Sequence, residues 1–302
     1  NPKTLTLTLT NSGYSQVYDG DSAADITPSW SFNGFISGDT SATIAYTGRN
    51  YNTANVTTAN LITVSGLSIT SVASSNSSAP EDYVLDSTTK TVNATITPKT
   101  VSLAVAPKVY DASTDMTGYV SITTGVGGET LTYNGATSND VRVATAGKYL
   151  NAITLGNASD GSGGLASNYQ LPTLNAANAL VTINPKTLTL TLTNSGYSQV
   201  YDGDSAADIT PSWSFNGFIS GDTSALINYA SKAYNNKDVA AANLITISGL
   251  TIDGITGGNN SAATDYILDA NTKTVAATIT RADLQIRANN DAKFVLQNDV
   301  VG

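Results

Sequence analysis

The chain has no cysteine and no histidine. Together these absences remove disulfides, thiolate nucleophiles, imidazole general bases and the commonest zinc and copper ligands. Charge is scarce as well. Asp, Glu, Lys and Arg make up 12% of the 302 residues, about half the roughly 25% usual in globular proteins. The net charge is −9, and the 14 Lys and Arg are nowhere gathered as a phosphate-binding surface needs, so neither nucleic acid nor an anionic membrane is an expected partner. No apolar run approaches the length of a membrane span, so no membrane insertion is expected. A chain without Cys suits a reducing compartment, and it equally suits export in an unfolded state. Asn1 opens in mid-pattern without a signal peptide, which predicts a piece of a longer protein.

Hydroxyls take the place of charge, with Ser and Thr about a quarter of the chain. A hydrophobic fraction of 40%, including 15 Tyr, 5 Phe and 2 Trp, is enough for several small cores and too much for a disordered linker. Residues 1–42 recur unchanged at 184–225, and the similarity runs without a gap to Thr97 and Thr280. The junction Thr97-Pro98-Lys99 matches Asn1-Pro2-Lys3 and Asn184-Pro185-Lys186 and is echoed by Thr280-Arg281-Ala282. These boundaries predict repeats over 1–97, 98–184 and 185–280, with 281–302 starting a further one. The middle repeat is shorter and diverged but keeps three landmarks in order. Tyr18-Asp19 answers to Tyr110-Asp111 and Tyr201-Asp202; Gly38-Asp39-Thr40 to Gly128-Glu129-Thr130 and Gly221-Asp222-Thr223; Asp82-Tyr83 to Asn168-Tyr169 and Asp265-Tyr266. Repeats of about 90 residues can each bury a core of their own.

Each outer repeat opens with strict alternation, Thr4-Leu5-Thr6-Leu7-Thr8-Leu9-Thr10, a period that puts Leu on one strand face and Thr on the other. Turn clusters such as Asp19-Gly20, Asn33-Gly34 and Ser37-Gly38-Asp39 follow at short intervals. The expected fold is all-β: tandem small antiparallel β-sandwich-like domains arranged end to end. Helical signals are confined to Asp238–Leu244 and Asn175–Leu180; if they form helices, a β-grasp-like unit with one short helix becomes the alternative. No Gly/Ser linker separates the repeats, and proline favours extended geometry before it, so stiff seams are expected.

With Val17-Tyr18-Asp19-Gly20, the Gly-Asp-Thr and Asp-Tyr landmarks and a closing Ala-Thr-Ile-Thr-Pro-Lys, the chain resembles the YDG-type repeats of filamentous-haemagglutinin-like large exoproteins. Ala282–Ile286 with Lys293-Phe294-Val295 resembles the start of another such repeat. The resemblance implies two-partner secretion from a Gram-negative cell, an extracellular or cell-surface location, and a part in adhesion, aggregation or biofilm formation. The middle repeat departs from the motif with Ala112 in place of glycine, which weakens any role that needs positive φ there.

The structural motif residues Tyr18, Asp19, Gly20, Tyr110, Asp111, Tyr201, Asp202 and Gly203 have two readings: a tyrosine closing the end of a core, or one that stacks on carbohydrate. Trp30 and Trp213 share that ambiguity. Asp19, Asp21 and Asp25, with Asp202, Asp204 and Asp208, are the calcium candidates, although their spacing matches no regular calcium loop and Asx turns explain them too. Neither Glu81 nor Glu129 is matched by Glu in the other repeats, so a glycosidase pair is not expected, and no catalytic residue or cofactor is assigned. Lys3, Lys99 and Lys186 could form isopeptide bonds, with Asn93 the natural last-strand partner, although the third repeat has Ala276 there. The Thr face of the first strand invites an ice-binding reading, and a solvated face is the simpler one. Sequons begin at Asn55, Asn76, Asn93, Asn157 and Asn259. The expected function is a stalk or spacer that projects a binding region; the alternative is that the repeats themselves bind glycan, a host or matrix surface, or other copies of the protein.

Overall fold

The computed structural model describes residues 1–287, and among them there is no α-helix, only strands and single 3₁₀ turns. The described residues form two compact units, one built from residues 1–109 with 113–184, the other from residues 110–112 with 185–287.

The first repeat, in the first unit, contains β1 (Lys3–Leu9), β2 (Tyr14–Val17), β3 (Trp30–Asn33), β4 (Asp39–Ala45), β5 (Gly48–Tyr51), β6 (Leu61–Ser65), β7 (Ser68–Ser74), β8 (Tyr83–Leu85) and β9 (Thr89–Thr97). Alternation does what the sequence implies: Leu5, Leu7 and Leu9 are buried, while Thr4, Thr6 and Thr8 are exposed. The strands form the sheets β3-β1-β8 and β2-β9-β6-β5 and the hairpin β4-β7. Two pairings are parallel. Lys3 faces Tyr83 in β1 and β8, and Tyr14 faces Ala94 in β2 and β9, at the same residue offset. The start of the repeat therefore lies beside its end and runs in the same direction. The sheets are mixed where antiparallel pairing was expected; side-chain alternation reports the face of a strand and is blind to its direction. Gly34 lets the loop after β3 approach β1, since at its φ of +113° a Cβ would sit 2.8 Å from the Thr4 carbonyl oxygen.

The second repeat adds β10 (Lys99–Thr100), β11 (Ser102–Val105), β12 (Lys108–Val109), β13 (Val120–Thr123), β14 (Thr132–Ser138), β15 (Leu150–Gly156), β16 (Tyr169–Gln170) and β17 (Ile183–Asn184). Its pairings repeat the scheme: β10 with β16 and β12 with β17 are parallel, and β11 with β13 and β14 with β15 antiparallel. Only Pro98 separates β9 from β10. Val101 and Tyr169 join the buried cluster that holds Leu7, Ile62, Val64 and Ile96, with Ile122 and Val126 packed against it. In the first unit the two repeats thus share one apolar cluster, and the expectation of a separate core for each is corrected here.

The second unit holds β18 (Lys186–Leu192), β19 (Tyr197–Val200), β20 (Trp213–Asn216), β21 (Asp222–Asn228), β22 (Ser231–Tyr234), β23 (Leu244–Ser248), β24 (Thr251–Gly257), β25 (Tyr266–Leu268) and β26 (Thr272–Thr280). Its sheets β20-β18-β25 and β19-β26-β23-β22 and hairpin β21-β24 reproduce the first repeat, around Leu190, Ile209, Ile245, Ile247 and Ile279. Neither helical candidate extends beyond a turn. The N–H groups of Ala241 and Ala242 bond the Asp238 carbonyl, and those of Asn178 and Ala179 bond that of Asn175. The β-grasp alternative loses its helix. Arg281–Arg287 form no strand. Lys293, Phe294 and Val295, invoked for a further repeat, lie outside the described residues.

Candidate functional site

The Tyr-Asp corner follows β2. Gln16 anchors it, its Nε2 donating to Asp19 Oδ2 at 2.8 Å and to the Ala23 carbonyl at 3.2 Å. Asp19 Oδ1 accepts the Asp21 N–H and Asp21 Oδ1 the Ala23 N–H, while the Asp25 N–H donates to Gln16 Oε1. Gln199, Asp202, Asp204 and Asp208 repeat every one of these bonds. These are Asx turns, which spend carboxylate lone pairs on backbone N–H groups. Among the described residues no three acidic groups gather to hold a metal ion. In the middle repeat Lys108 stands in place of Gln16; its buried Nζ donates to the Ser113 and Asp115 carbonyls.

The landmarks that recur in every repeat meet in space. Tyr83 donates to Asp39 Oδ2 at 2.6 Å, Tyr169 to Glu129 Oε2 at 2.7 Å, and Tyr266 to Asp222 Oδ2 at 2.7 Å. Each pair ties a late strand to the start of the hairpin, at the first residue of β4 and β21 and in the loop before β14. Burial and the bond to the carboxylate raise the pKa of all three phenols. Bonds from Ser74 and Tyr83 hold Asp39 below the usual carboxylate range. Burial alone would raise Asp222, and bonds from Ser261, Tyr266 and Asn259 outweigh it, so the net shift is down.

The corner tyrosine addresses the same pair. In the first unit Tyr18 donates to Glu129 Oε1 at 2.5 Å and meets Tyr169 edge-on, ring centroids 5.4 Å apart. Burial first, then the bond to Glu129, pushes its phenol up to about 12. In the second unit Tyr110 lies edge-on to Tyr266 at 5.7 Å, and its hydroxyl shares a 2.7 Å hydrogen bond with Ser261, which donates to Asp222. Glu129, one methylene longer than Asp222, reaches both phenols directly, whereas the aspartate is extended by the serine hydroxyl. Sequence reasoning found the landmarks and missed that they pair; their recurrence in fixed order was the available signal.

The YDG domain profile matches residues 1–91 and 184–274, together more than half of the chain. The chain belongs to the YDG-domain family. No curated protein matches it. Within both matched YDG domains the stacking candidates Trp30 and Trp213 are half buried against the core. The exposed tyrosines are Tyr201 and a pair that sequence reasoning passed over, Tyr46 and Tyr229, at equivalent places after β4 and β21. A cleft beside the tyrosine of the pair also recurs, about 410 Å³ lined by Leu67, Ile69 and Tyr83 and about 390 Å³ lined by Leu250, Ile252 and Tyr266.

The YDG domains also place the remaining candidates. Lys3 and Lys186 sit opposite Tyr83 and Tyr266, and Lys99 opposite Tyr169. Asn93 faces Leu61 across β9 and β6, and β9 is flanked by β2 and β6, so β1 is not its hydrogen-bonded neighbour as the isopeptide reading required. The Asn76 amide donates to Ser37 and Asp39, and that of Asn259 to Ser220 and Asp222, so these two sequon nitrogens are engaged in the fold. Glu81 is exposed and Glu129 is the phenol acceptor described above.

Proposed function

We propose that this chain is a non-catalytic spacer segment of a secreted bacterial surface adhesin of the filamentous-haemagglutinin-like, two-partner-secretion kind, which carries a binding region away from the cell in adhesion and biofilm formation. The supporting observation is the seam in the first unit, where the strands abut with Pro98 alone between them and Tyr18 is bonded into the second repeat. A partly buried hydrogen bond and a shared apolar cluster resist bending at a junction in a way that a solvated Gly/Ser linker does not. The recurring clefts and the exposed Tyr46 and Tyr229 favour a second reading, in which each YDG domain takes up glycan.

One experiment separates the two. In the intact adhesin on its own cells, this segment is deleted or exchanged for an unrelated rigid spacer of equal length. The spacer reading expects adhesion to fall on deletion and to return with the exchange. Adhesion that fails to return overturns it in favour of binding by the repeats.

A further inference from the structure

The two seams bring the same groups together with different side chains. Each carries a corner tyrosine of one repeat to the acid–tyrosine pair of the next, Tyr18 to Glu129 and Tyr169, Tyr110 to Asp222 and Tyr266. The acids are presented alike. The Glu129 N–H donates to the Val126 carbonyl and the Asp222 N–H to that of Ile219, three residues earlier in both. What differs is how the carboxylate reaches the incoming phenol.

At Asp222 the side chain is one methylene shorter, and Ser261 fills the interval. Its single hydroxyl proton goes to Asp222 Oδ2 at 2.6 Å, so at 2.7 Å it accepts from Tyr110. Ser261 stands five residues before Tyr266, and the residue five before Tyr169 is Gly164. Serine does not fit there, since a Cβ on Gly164 would lie 2.0 Å from the Thr130 carbonyl oxygen. The longer acid goes with the missing side chain, the shorter acid with the added hydroxyl. Mixing them fails either way: Asp with Gly leaves a buried phenol without an acceptor, and Glu with Ser crowds two polar groups into one space.

The corner is matched to its face as well. A Cβ on Gly20 would lie 2.6 Å from Val126, the residue whose carbonyl makes the turn at Glu129. The Glu129 face thus lies too close for alanine. At the Asp222 face the corner residue is Ala112, its Cβ already in place, and Tyr110 still reaches Ser261.

We propose that the acid and the residue five places before its paired tyrosine together select the repeat that docks: Glu129 with Gly164 admits only a corner reading Tyr-Asp-Gly, and Asp222 with Ser261 admits one reading Tyr-Asp-Ala. A repeat therefore specifies, in two side chains, the neighbour it accepts, and the seams are not interchangeable. This goes beyond the spacer reading and does not depend on it. Seams that prove interchangeable leave a spacer a spacer, and repeats that prove to bind glycan leave the selection intact.

The test reads how far Tyr110→Phe lowers the urea midpoint of the full chain in four backgrounds. With the native face the midpoint is expected to fall, because the hydroxyl is bonded. In Ser261→Gly alone the shift should vanish, since the phenol has lost its acceptor, and in Asp222→Glu alone it should vanish because the longer carboxylate displaces the serine hydroxyl. In Asp222→Glu with Ser261→Gly, which copies the Glu129 face, the shift should return, and Ala112→Gly should raise the midpoint more than it does beside the native face. Should the variants of that face misfold, the first seam supplies a separate arm: Gly20→Ala should abolish the shift caused by Tyr18→Phe. Three results overturn the proposal: a Tyr110→Phe shift that survives in either single variant, one that stays absent in the folded double variant, or a Tyr18→Phe shift that Gly20→Ala leaves at full size.

Discussion

The Tyr18 hydroxyl lies 2.5 Å from Glu129 Oε1 across 111 residues of sequence, and the other oxygen of that carboxylate accepts Tyr169. One acid thus serves the fold of its own repeat and the seam to the preceding one. Tyr18→Phe keeps the ring in the cluster and deletes the bond, and is expected to cost about 1–2 kcal/mol, the range between neutral and charge-assisted bonds. Glu129→Gln should cost a similar amount by weakening both bonds. The double variant should cost less than the sum, since both single changes remove the same contact. Urea unfolding of the four proteins measures the coupling.

Alkaline pH should open the same contact. The Tyr18 phenol, with an ordinary pKa of 10.0, is raised to about 12 in the fold. The unfolded chain therefore loses this proton first. Its contribution is fully present below pH 10 and disappears as pH climbs from 10 through 12. Tyr169 and Tyr266 are shifted in the same direction, as is Tyr51, to about 12 by burial. Melting temperature should fall steeply over that window. In Tyr18→Phe, already less stable at neutral pH, the fall should be shallower.

Acid should act by the opposite sign. Asp39 and Asp222 lie below their ordinary 3.8 in the fold, and Asp160, bonded by Thr130, falls to about 2. Carboxylates with depressed pKa contribute stability that is complete above the unfolded value and lost as pH drops through the folded one. With no His in the chain, no side chain of ordinary pKa titrates between pH 5 and 8. Stability is expected to be flat there and to fall from about pH 4 down to about 2. A melting-temperature profile with a step near pH 6.5 would contradict this account.

How far sequence carried the fold can be judged at particular residues. Leu5, Leu7 and Leu9 announced a half-buried strand, because alternation maps directly onto burial. It could not say that β8 and β9 return parallel to β1 and β2, since direction is decided by contacts about 80 residues apart, as between Lys3 and Tyr83. Asp238-Val239-Ala240-Ala241 reads as a helix start, and a single turn forms because the chain enters β23 at Leu244. The corner tyrosine was visible, but its environment was not. Tyr18 and Tyr201 sit in identical local sequence, and only what packs on them differs.

Gly20 and Gly203 allow that difference to be weighed within one protein. Both hold positive φ, +102° and +98°, so Ala costs backbone strain of about 1–2 kcal/mol at either. At Gly20 the new Cβ also meets Val126, and overpacking adds roughly 1–3 kcal/mol. Gly20→Ala should therefore lower stability more than Gly203→Ala, and equal losses by urea unfolding would mean that Val126 moves aside freely.

The middle repeat runs the same substitution in reverse. It has alanine where the motif has glycine, which by sequence weakens the case for positive φ, yet Ala112 keeps a φ of +61°. A left-handed alanine costs about 1–2 kcal/mol, and something must hold it. The packing of Tyr110 two residues earlier against Tyr266 and Ser261 supplies that constraint, because relaxing Ala112 to negative φ would redirect the chain that positions the ring. Ala112→Gly relieves the strain and adds freedom to the unfolded chain, terms of opposite sign, for a net gain of about 0.5–1 kcal/mol. Tyr110→Ala removes the constraint, so the gain from Ala112→Gly should shrink in that background. A gain that is unchanged by Tyr110→Ala would mean that the loop holds its own conformation and owes nothing to the docked tyrosine.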